Sequence, residues 1–262
     1  MITKPLRISR LNLANPLTQG LAFFAPLNEM AGAPRDLVTG SLAGGTVPTW
    51  TARGMTCKQT TPPMWSTTAA HIGNGDFSAM YCGGLVSNAN ADNYALSSCN
   101  GAASTVMFNL GQNGYMLFAV FNGAAWVGIT NPVNYPVNTA VNNIWVGVRK
   151  NAGTEFYLYL NGVQVAAATV AAIALATTGK LGCGAYNSGA VNTYVSSAER
   201  VAAGFWNRAL SPAEVAAISA NPWQLLAQSS ASRIMRMLTV ATGFSGASRG
   251  RILAGISRGR LL

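Results

Sequence analysis

Residues 155–167 read EFYLYLNGVQVAA, and how this stretch is read decides the fold. Two runs of aromatic, aliphatic and β-branched residues flank Asn161-Gly162, a pair that tolerates positive φ at both positions. The spacing therefore predicts strands over 156–160 and 163–167 joined by a two-residue type I′ turn. Just upstream, IWVGVRKNAGTEFYLYL predicts a further strand over 144–149 that reaches the hairpin through Asn151 to Gly153. GYMLFAVFNGAAWVGI repeats the design, with Asn122-Gly123 between strands predicted over 115–121 and 125–129. Read together, these units predict one meander of consecutive antiparallel strands. Turn residues recur along the chain at intervals of roughly ten residues, the rhythm of an all-β sandwich.

One segment breaks that rhythm. SPAEVAAISANP, residues 211–222, places Ser211 as a cap, Pro212 at the first helical position and Glu214 to complete a capping box, while Asn221-Pro222 stops the run. This predicts a short helix whose alanines let it lie close against a sheet, a structural fixture rather than a recognition helix.

Composition agrees with one large β-rich domain: half of the 262 residues are apolar, 9% are charged and 28 are glycine. The net charge of +10 is unevenly spread. Lys4, Arg7 and Arg10 stand in residues 1–16 without an acid, and Arg233, Arg236, Arg249, Arg251, Arg258 and Arg260 stand in residues 227–262 without one. Residues 17–226 hold the remaining eight basic residues against all seven acids. The expected division is thus a basic N-terminal arm (1–16), a nearly neutral sandwich domain (17–226) and an Arg/Gly-rich C-terminal arm (227–262).

Pro5 and the polar run Ser9 to Asn12 deny the N-terminus an apolar signal core, so synthesis in a cytosol is expected. Cys57, Cys82, Cys99 and Cys183 show no C-x-x-C spacing, which argues for buried free thiols over a zinc or redox site. The most apolar window, VAAATVAAIALA at 165–176, falls short of the roughly 18 residues a membrane span needs, and no membrane partner is expected.

The order of parts carries a resemblance. WVGVR (145–149), FYLYLNGV (156–163), LGCG (181–184) and VAAGFWNRALSPAEVAAI (201–218) resemble the laminin-G-like, concanavalin-A-like jelly rolls. That family shows a strand opening on Trp, an L-Y-V-N-G hairpin, and a closing strand followed by N-R-A-L-S-x-x-E. The front end is similar too, in NPLTQGL (15–21), Asn28-Glu29, DLVTG (36–40) and Trp50. That front, with ANPWQLL (220–226), looks like the subset encoded by bacteriophages and prophages. The resemblance implies a two-sheet antiparallel jelly-roll sandwich. It does not imply one function, because this fold hosts lectins, glycanases, adhesion modules and virion parts.

Candidate chemistry is sparse. Glycanases pair two carboxylates about 5–9 Å apart, usually as E-x-D-x-x-E on one strand, whereas Glu29, Asp36, Asp76, Asp92, Glu155, Glu199 and Glu214 never fall two or four apart. His71 is the single histidine and no G-x-S-x-G elbow exists, so no catalytic residue is assigned and the protein is expected not to be an enzyme. Asp76, Asp92 and Asn93, with Asn88 and Asn90, could supply oxygens to Ca²⁺, but such residues more often serve turns, and neither a metal nor a cofactor is expected. Glycan binding would use Trp65, Tyr94, Tyr135 and Tyr186, which sit in turn-like surroundings near asparagines.

The chain closes on SRGRILAGISRGRLL, a doubled basic phrase. In an extended arm Arg249 and Arg251, like Arg258 and Arg260, share a side, and Ile252-Leu253 and Leu261-Leu262 add apolar anchors. Paired aliphatics suit docking onto protein better than a free Arg-Gly tail on nucleic acid, which is not the expected partner. The expectation is a bacteriophage virion structural protein, a capsid decoration or accessory subunit fastened by its arms to major capsid or tail subunits, and a homo-oligomer. The alternative is a host-surface carbohydrate-binding module on the phage head or tail.

Overall fold

A computed structural model describes residues 10–227 apart from 46, 57–63, 67–74, 85–94, 100–105, 113–114, 123, 134–142, 173–179 and 184–198. By internal contacts the chain divides into residues 1–226 and residues 227–262. Among the described residues no helix is long and apolar enough to cross a membrane.

The first unit is a two-sheet antiparallel sandwich, the jelly-roll class expected. Its strands are β1 (Leu21–Ala25), β2 (Thr49–Trp50), β3 (Met55–Thr56), β4 (Met64–Ser66), β5 (Phe77–Gly83), β6 (Leu96–Cys99), β7 (Val106–Gln112), β8 (Tyr115–Phe121), β9 (Trp126–Val133), β10 (Asn143–Lys150), β11 (Glu155–Leu160), β12 (Val163–Thr169), β13 (Lys180–Cys183) and β14 (Arg200–Trp206). One helix, α1, spans Pro212–Ala220. The eight-stranded sheet runs β12-β11-β10-β5-β14-β3-β2, with β1 also on β14; the six-stranded sheet runs β4-β13-β6-β7-β8-β9.

The deciding hairpin stands as read. Asn161 and Gly162 have φ of 48° and 86°, and Leu160 pairs with Val163. The single meander does not stand. β10, β11 and β12 are neighbours in the large sheet, but β8 and β9 belong to the small one, and residues 134–142 link the two sheets. Alternation marks a strand without saying which sheet it joins. The second connection also differs from the two-residue turn expected: Phe121 pairs with Trp126, and the Asn122 side chain accepts from the Ala124 and Ala125 amides at 2.9 and 2.8 Å. Asn122 works here as a side-chain cap to a four-residue turn.

The large sheet is covered on both faces. Trp145 and Gly147 of β10 turn inward to the six-stranded sheet, while Ile144, Val146 and Val148 turn outward beneath Val215 and Ile218 of α1. Burial is therefore continuous along β5 and β14, as for any strand with two dry faces. Gly147 makes room for Phe118 from the opposite sheet, since a Cβ there would lie 2.4 Å from the ring. Arg149, also inward and fully buried, sits 5.7 Å from the Phe77 ring centre and 6.0 Å from that of Phe156, and donates to Gly75 O at 3.1 Å. Burial lowers its pKa, partly offset by the charge of Asp76.

Polar residues pin the connections. Asp36, 3% exposed, accepts from the amides of Phe24, Val38 and Thr39 and from the Thr39 hydroxyl. Ser78 of β5 donates to Arg208 O and accepts from Leu210 N, fixing the entry to α1. The capping box forms as expected: the Ser211 hydroxyl accepts from Glu214 N, and Glu214 accepts from Ser211 N. Arg208 adds a bidentate pair to Glu214 at 2.7 and 3.0 Å. Cys82 and Cys183 are buried free thiols; Cys57 and the Cys99 side chain lie outside the described residues.

The two ends of the body meet. Leu11 forms an antiparallel bridge with Leu226, Asn12 N donates to Leu225 O at 2.7 Å, and Asn15 caps Pro16–Thr18 while donating to Gln224 O at 3.0 Å. These contacts lie on the α1 face of the large sheet, where Leu11 and Leu226 join the apolar cluster beneath the helix.

Two stability predictions follow from this packing. Replacing Asp36 with Ala strands three backbone donors and should cost about 3 kcal/mol, read as a lower urea midpoint at unchanged slope. The second concerns pH. Hydrogen bonding from Arg208 chiefly, then from Ser211, outweighs burial and lowers the Glu214 carboxyl from 4.5 to about 2. A depressed carboxylate stabilises the fold above its unfolded pKa and loses that contribution as pH falls from 4.5 towards 2. Glu214→Gln should be about 1–2 kcal/mol less stable than the parent at neutral pH, with the gap closing at pH 2 in thermal melts.

Candidate functional site

Strand register brings several chain crossings to one end of the sandwich. Gly83, the last residue of β5, pairs with both Asn143, the first of β10, and Arg200, the first of β14. In the small sheet Cys183, the last residue of β13, pairs with Leu96, the first of β6, and Met64 at the start of β4 pairs with Gly182. Met116, at the start of β8, pairs with Val133 at the end of β9. The strand ends that flank 85–94, 134–142 and 184–198 therefore all face the same way.

Those three segments share a composition. They contain Tyr94, Tyr135, Tyr186 and Tyr194, half the tyrosines of the chain, and eight asparagines. The segments that join the opposite strand ends in sequence, 67–74, 100–105, 122–125, 151–154 and 170–179, contain no Phe, Tyr or Trp and are rich in Ala, Thr and Gly. By sequence, the segments joined to one set of strand ends are thus rich in Tyr and Asn, while those joined to the other set carry no aromatic residue.

The strand ends that border the Tyr/Asn segments in sequence are held firmly. The Tyr81 hydroxyl donates to Gly84 O at 2.8 Å, and Gly84 N donates to Glu199 O at 2.9 Å. A Cβ at Gly83 would lie 2.5 Å from Glu199 O, so the two strands can meet this closely only at a glycine. Glu199 pairs with Arg53 Nε at 3.0 Å and accepts from the Thr51 hydroxyl. Across the sheet, Asn161 Oδ1 accepts from Ile144 N at 2.9 Å, and Asn161 Nδ2 donates to Asn143 Oδ1 at 3.0 Å.

The proposed binding residues divide between seen and unseen. Trp65 lies in β4 opposite Leu181, a fully buried core residue; its side chain lies outside the described residues. Tyr94, Tyr135 and Tyr186 lie outside them, as do His71, Asn88, Asn90, Asp92 and Asn93, and the arm residues Lys4, Arg7 and those from Arg233 to Leu262. Arg10 is described and exposed.

Each described carboxylate has structural work. Asp36 and Glu214 act as above, Glu199 holds Arg53, Glu155 joins Lys150 and Tyr157, Asp76 accepts from Ala152 N, and Glu29 accepts from Arg35 N. Among the described residues no three His, Cys, Asp or Glu side chains group to hold a metal ion. Sequence reading missed the Thr51–Arg53–Glu199 tie and the buried Arg149 and Arg200, because these partners are set by register between distant strands.

Comparison with known proteins follows this geometry. A family model described as the concanavalin A-like lectin/glucanases superfamily matches residues 60–216, more than half of the chain. No curated protein sequence matches. Solved structures share the fold at low identity. Trypanosoma rangeli sialidase in complex with sialic acid gives a TM-score of 0.58 at 12% identity, over 80% of this chain and 34% of that one. A mutant of that sialidase displaying trans-sialidase activity gives 0.60 at 14%, over 80% and 34%. The botulinum neurotoxin serotype D binding domain gives 0.58 at 9%, over 79% and 53%. The chain thus spans between a third and about half of the length of these proteins.

These likenesses correct one expectation. The protein was expected not to be an enzyme, yet solved chains sharing its sandwich include a sialidase and a trans-sialidase-active mutant. The expectation rested on the absence of a one-strand carboxylate spacing, the single histidine and the missing G-x-S-x-G elbow, all local signals, whereas a sandwich can bring reactive groups together from separate strands. That reading is withdrawn.

The geometry at Gly83 yields a test. Gly83→Ala should push β5 away from Glu199 and loosen this end of the sandwich. Amide hydrogen exchange should rise at Gly84 and Arg200 while the α1 amides keep their protection.

Proposed function

We infer the function of this chain from the concanavalin A-like lectin/glucanase superfamily, to which it belongs, and from the strand ends that border its Tyr/Asn-rich segments, which lie together. The protein is a carbohydrate-binding module that meets a surface oligosaccharide through residues 85–94, 134–142 and 184–198. The observation that supports this reading is the pairing of Gly83 with both Asn143 and Arg200, which brings together strand ends bordering three compositionally alike segments.

The chemistry suits a sugar. Tyrosine rings offer flat apolar faces to the C–H faces of a pyranose, and asparagine amides both donate to and accept from hydroxyls. Tyr, Asn, Ser and Gly also make up adaptable recognition loops elsewhere, because they give contact area and hydrogen bonds at low entropic cost. Tyr94, Tyr135 and Tyr186 are the proposed platforms. Sialylated glycans are a first ligand class to test, since one solved neighbour holds sialic acid.

A second reading concerns where the module is carried, and the meeting of Leu11 with Leu226 favours it. Leu11 and Leu226 adjoin the two basic segments in sequence, and on this reading Lys4, Arg7 and Arg10 act with the arginines of 227–262 as a single anchor. We propose that this anchor fastens the module to major capsid or tail subunits of a bacteriophage virion, assembled in the bacterial host cytoplasm, with the glycan on the host surface.

Glycan-array binding tests the main reading. The full chain should bind a defined set of oligosaccharides, and Tyr94→Ala, Tyr135→Ala and Tyr186→Ala combined should weaken binding at least tenfold, about 1.4 kcal/mol, without lowering the melting temperature. Unchanged binding in the triple variant would overturn it. Removing residues 227–262 should leave glycan binding intact and abolish incorporation into particles; normal incorporation would remove the second reading.

A further inference from the structure

Two of the three Tyr/Asn-rich segments are bordered by residues that meet at Glu199. This residue directly follows 184–198 and precedes β14, and its carbonyl oxygen accepts at 2.9 Å from the amide of Gly84, the residue just before 85–94. Gly83 closes on the same carbonyl, where a Cβ would lie 2.5 Å away. Any rotation of the Glu199 peptide therefore displaces both strand ends together. Asn143, which follows 134–142, has an anchor of its own: the Asn161 side chain donates to Asn143 Oδ1 at 3.0 Å and accepts from Ile144 N at 2.9 Å.

The Glu199 side chain is fixed by residues 51–54, the turn between β2 and β3. Thr51 Oγ1 accepts from Arg53 N at 3.2 Å and from Gly54 N at 3.0 Å, so its own turn orients the hydroxyl that donates to Glu199 Oε1. Arg53 Nε donates to Glu199 Oε2 at 3.0 Å. The turn sits directly on β14, since a Cβ at Gly54 would lie 1.9 Å from Arg200 O. Among the described residues β3 pairs with β14 only through Met55 and Arg200. Both oxygens of the Glu199 carboxylate are thus held from a short hairpin that has little ladder of its own with the sheet.

Stability does not account for this arrangement. The Arg53 side chain is 57% exposed, and an ion pair so open to water adds little to the free energy of folding. What the pair fixes is the orientation of one residue from which two chain segments are set. We propose that Thr51 and Arg53 are positioning residues for ligand binding: they hold Glu199, and through it the ends of β5 and β14 that border 85–94 and 184–198. The proposal rests on the glycan-binding reading of those segments. The turn then acts on binding without touching the sugar, while the start of β10 keeps its separate anchor at Asn161.

Amide exchange on the full chain without glycan reads the geometry first. Arg53→Ala and Glu199→Gln should each speed exchange at Gly84 severalfold, while Ile144, bonded to Asn161, keeps its protection. Calorimetric titration with an oligosaccharide retained on the array reads binding next. Each variant should weaken it about fivefold at an unchanged melting temperature, and the double variant should be no weaker than the singles. Arg53→Lys, which keeps a cation beside Glu199, should recover most of the loss. Unchanged exchange at Gly84 in both variants would overturn the proposal, and so would losses that add in the double variant, the mark of two side chains that each touch the sugar. A parent chain that binds no oligosaccharide overturns the glycan-binding reading instead, and exchange at Gly84 against Ile144 then still decides whether the turn sets those strand ends.

Discussion

The structure depends on one constraint: the eight-stranded sheet must be dry on both faces. Its central strands β5, β10 and β14 carry apolar side chains alternately to the small sheet and to α1. Neither cover alone suffices. Trp145 fills the space between the sheets, whereas Trp206 lies on the α1 side and donates through Nε1 to Leu17 O at 2.7 Å. The segment before β1 and the helix after β14 are therefore structural walls, which is why the two ends of the body finish together at Leu11 and Leu226.

That constraint leaves the ends of the strands as the places where composition is free to vary. At one end the connections are short or bland, and the three-residue run Asn151, Ala152 and Gly153 turns the chain with positive φ throughout. The other strand ends carry the tight Asn161-Gly162 turn and border the segments 85–94, 134–142 and 184–198, which are rich in Tyr and Asn by sequence. Segments that connect the strands of a rigid body are where such folds usually carry recognition. Membership of the concanavalin A-like superfamily fits this division of roles.

Much of the fold was legible because it is written locally. Asn161-Gly162 names its own turn, and Ser211-Pro212 with Glu214 names its own helix start; both formed as read. What required three dimensions was less visible. Nothing in GYMLFAVF says that β8 faces β10 across the core rather than beside it, since a strand with one buried face alternates identically in either sheet. Asp36 stood in the recognisable DLVTG string, but its service to Phe24 N depends on a strand twelve residues away. The carboxylate spacing misled for a similar reason, because proximity in sequence is only one route to proximity in space. The candidate site was legible as a list of tyrosines; that the strands bordering 85–94, 134–142 and 184–198 end together was visible only from register.

An amide NMR titration with a bound oligosaccharide probes the central claim most directly. The account predicts that the resonances of Gly83, Gly84, Asn143 and Arg200 shift together while those of Asn122 and Asn151 stay still. Shifts confined to Asn122 and Asn151, with the Gly83 end silent, would contradict it.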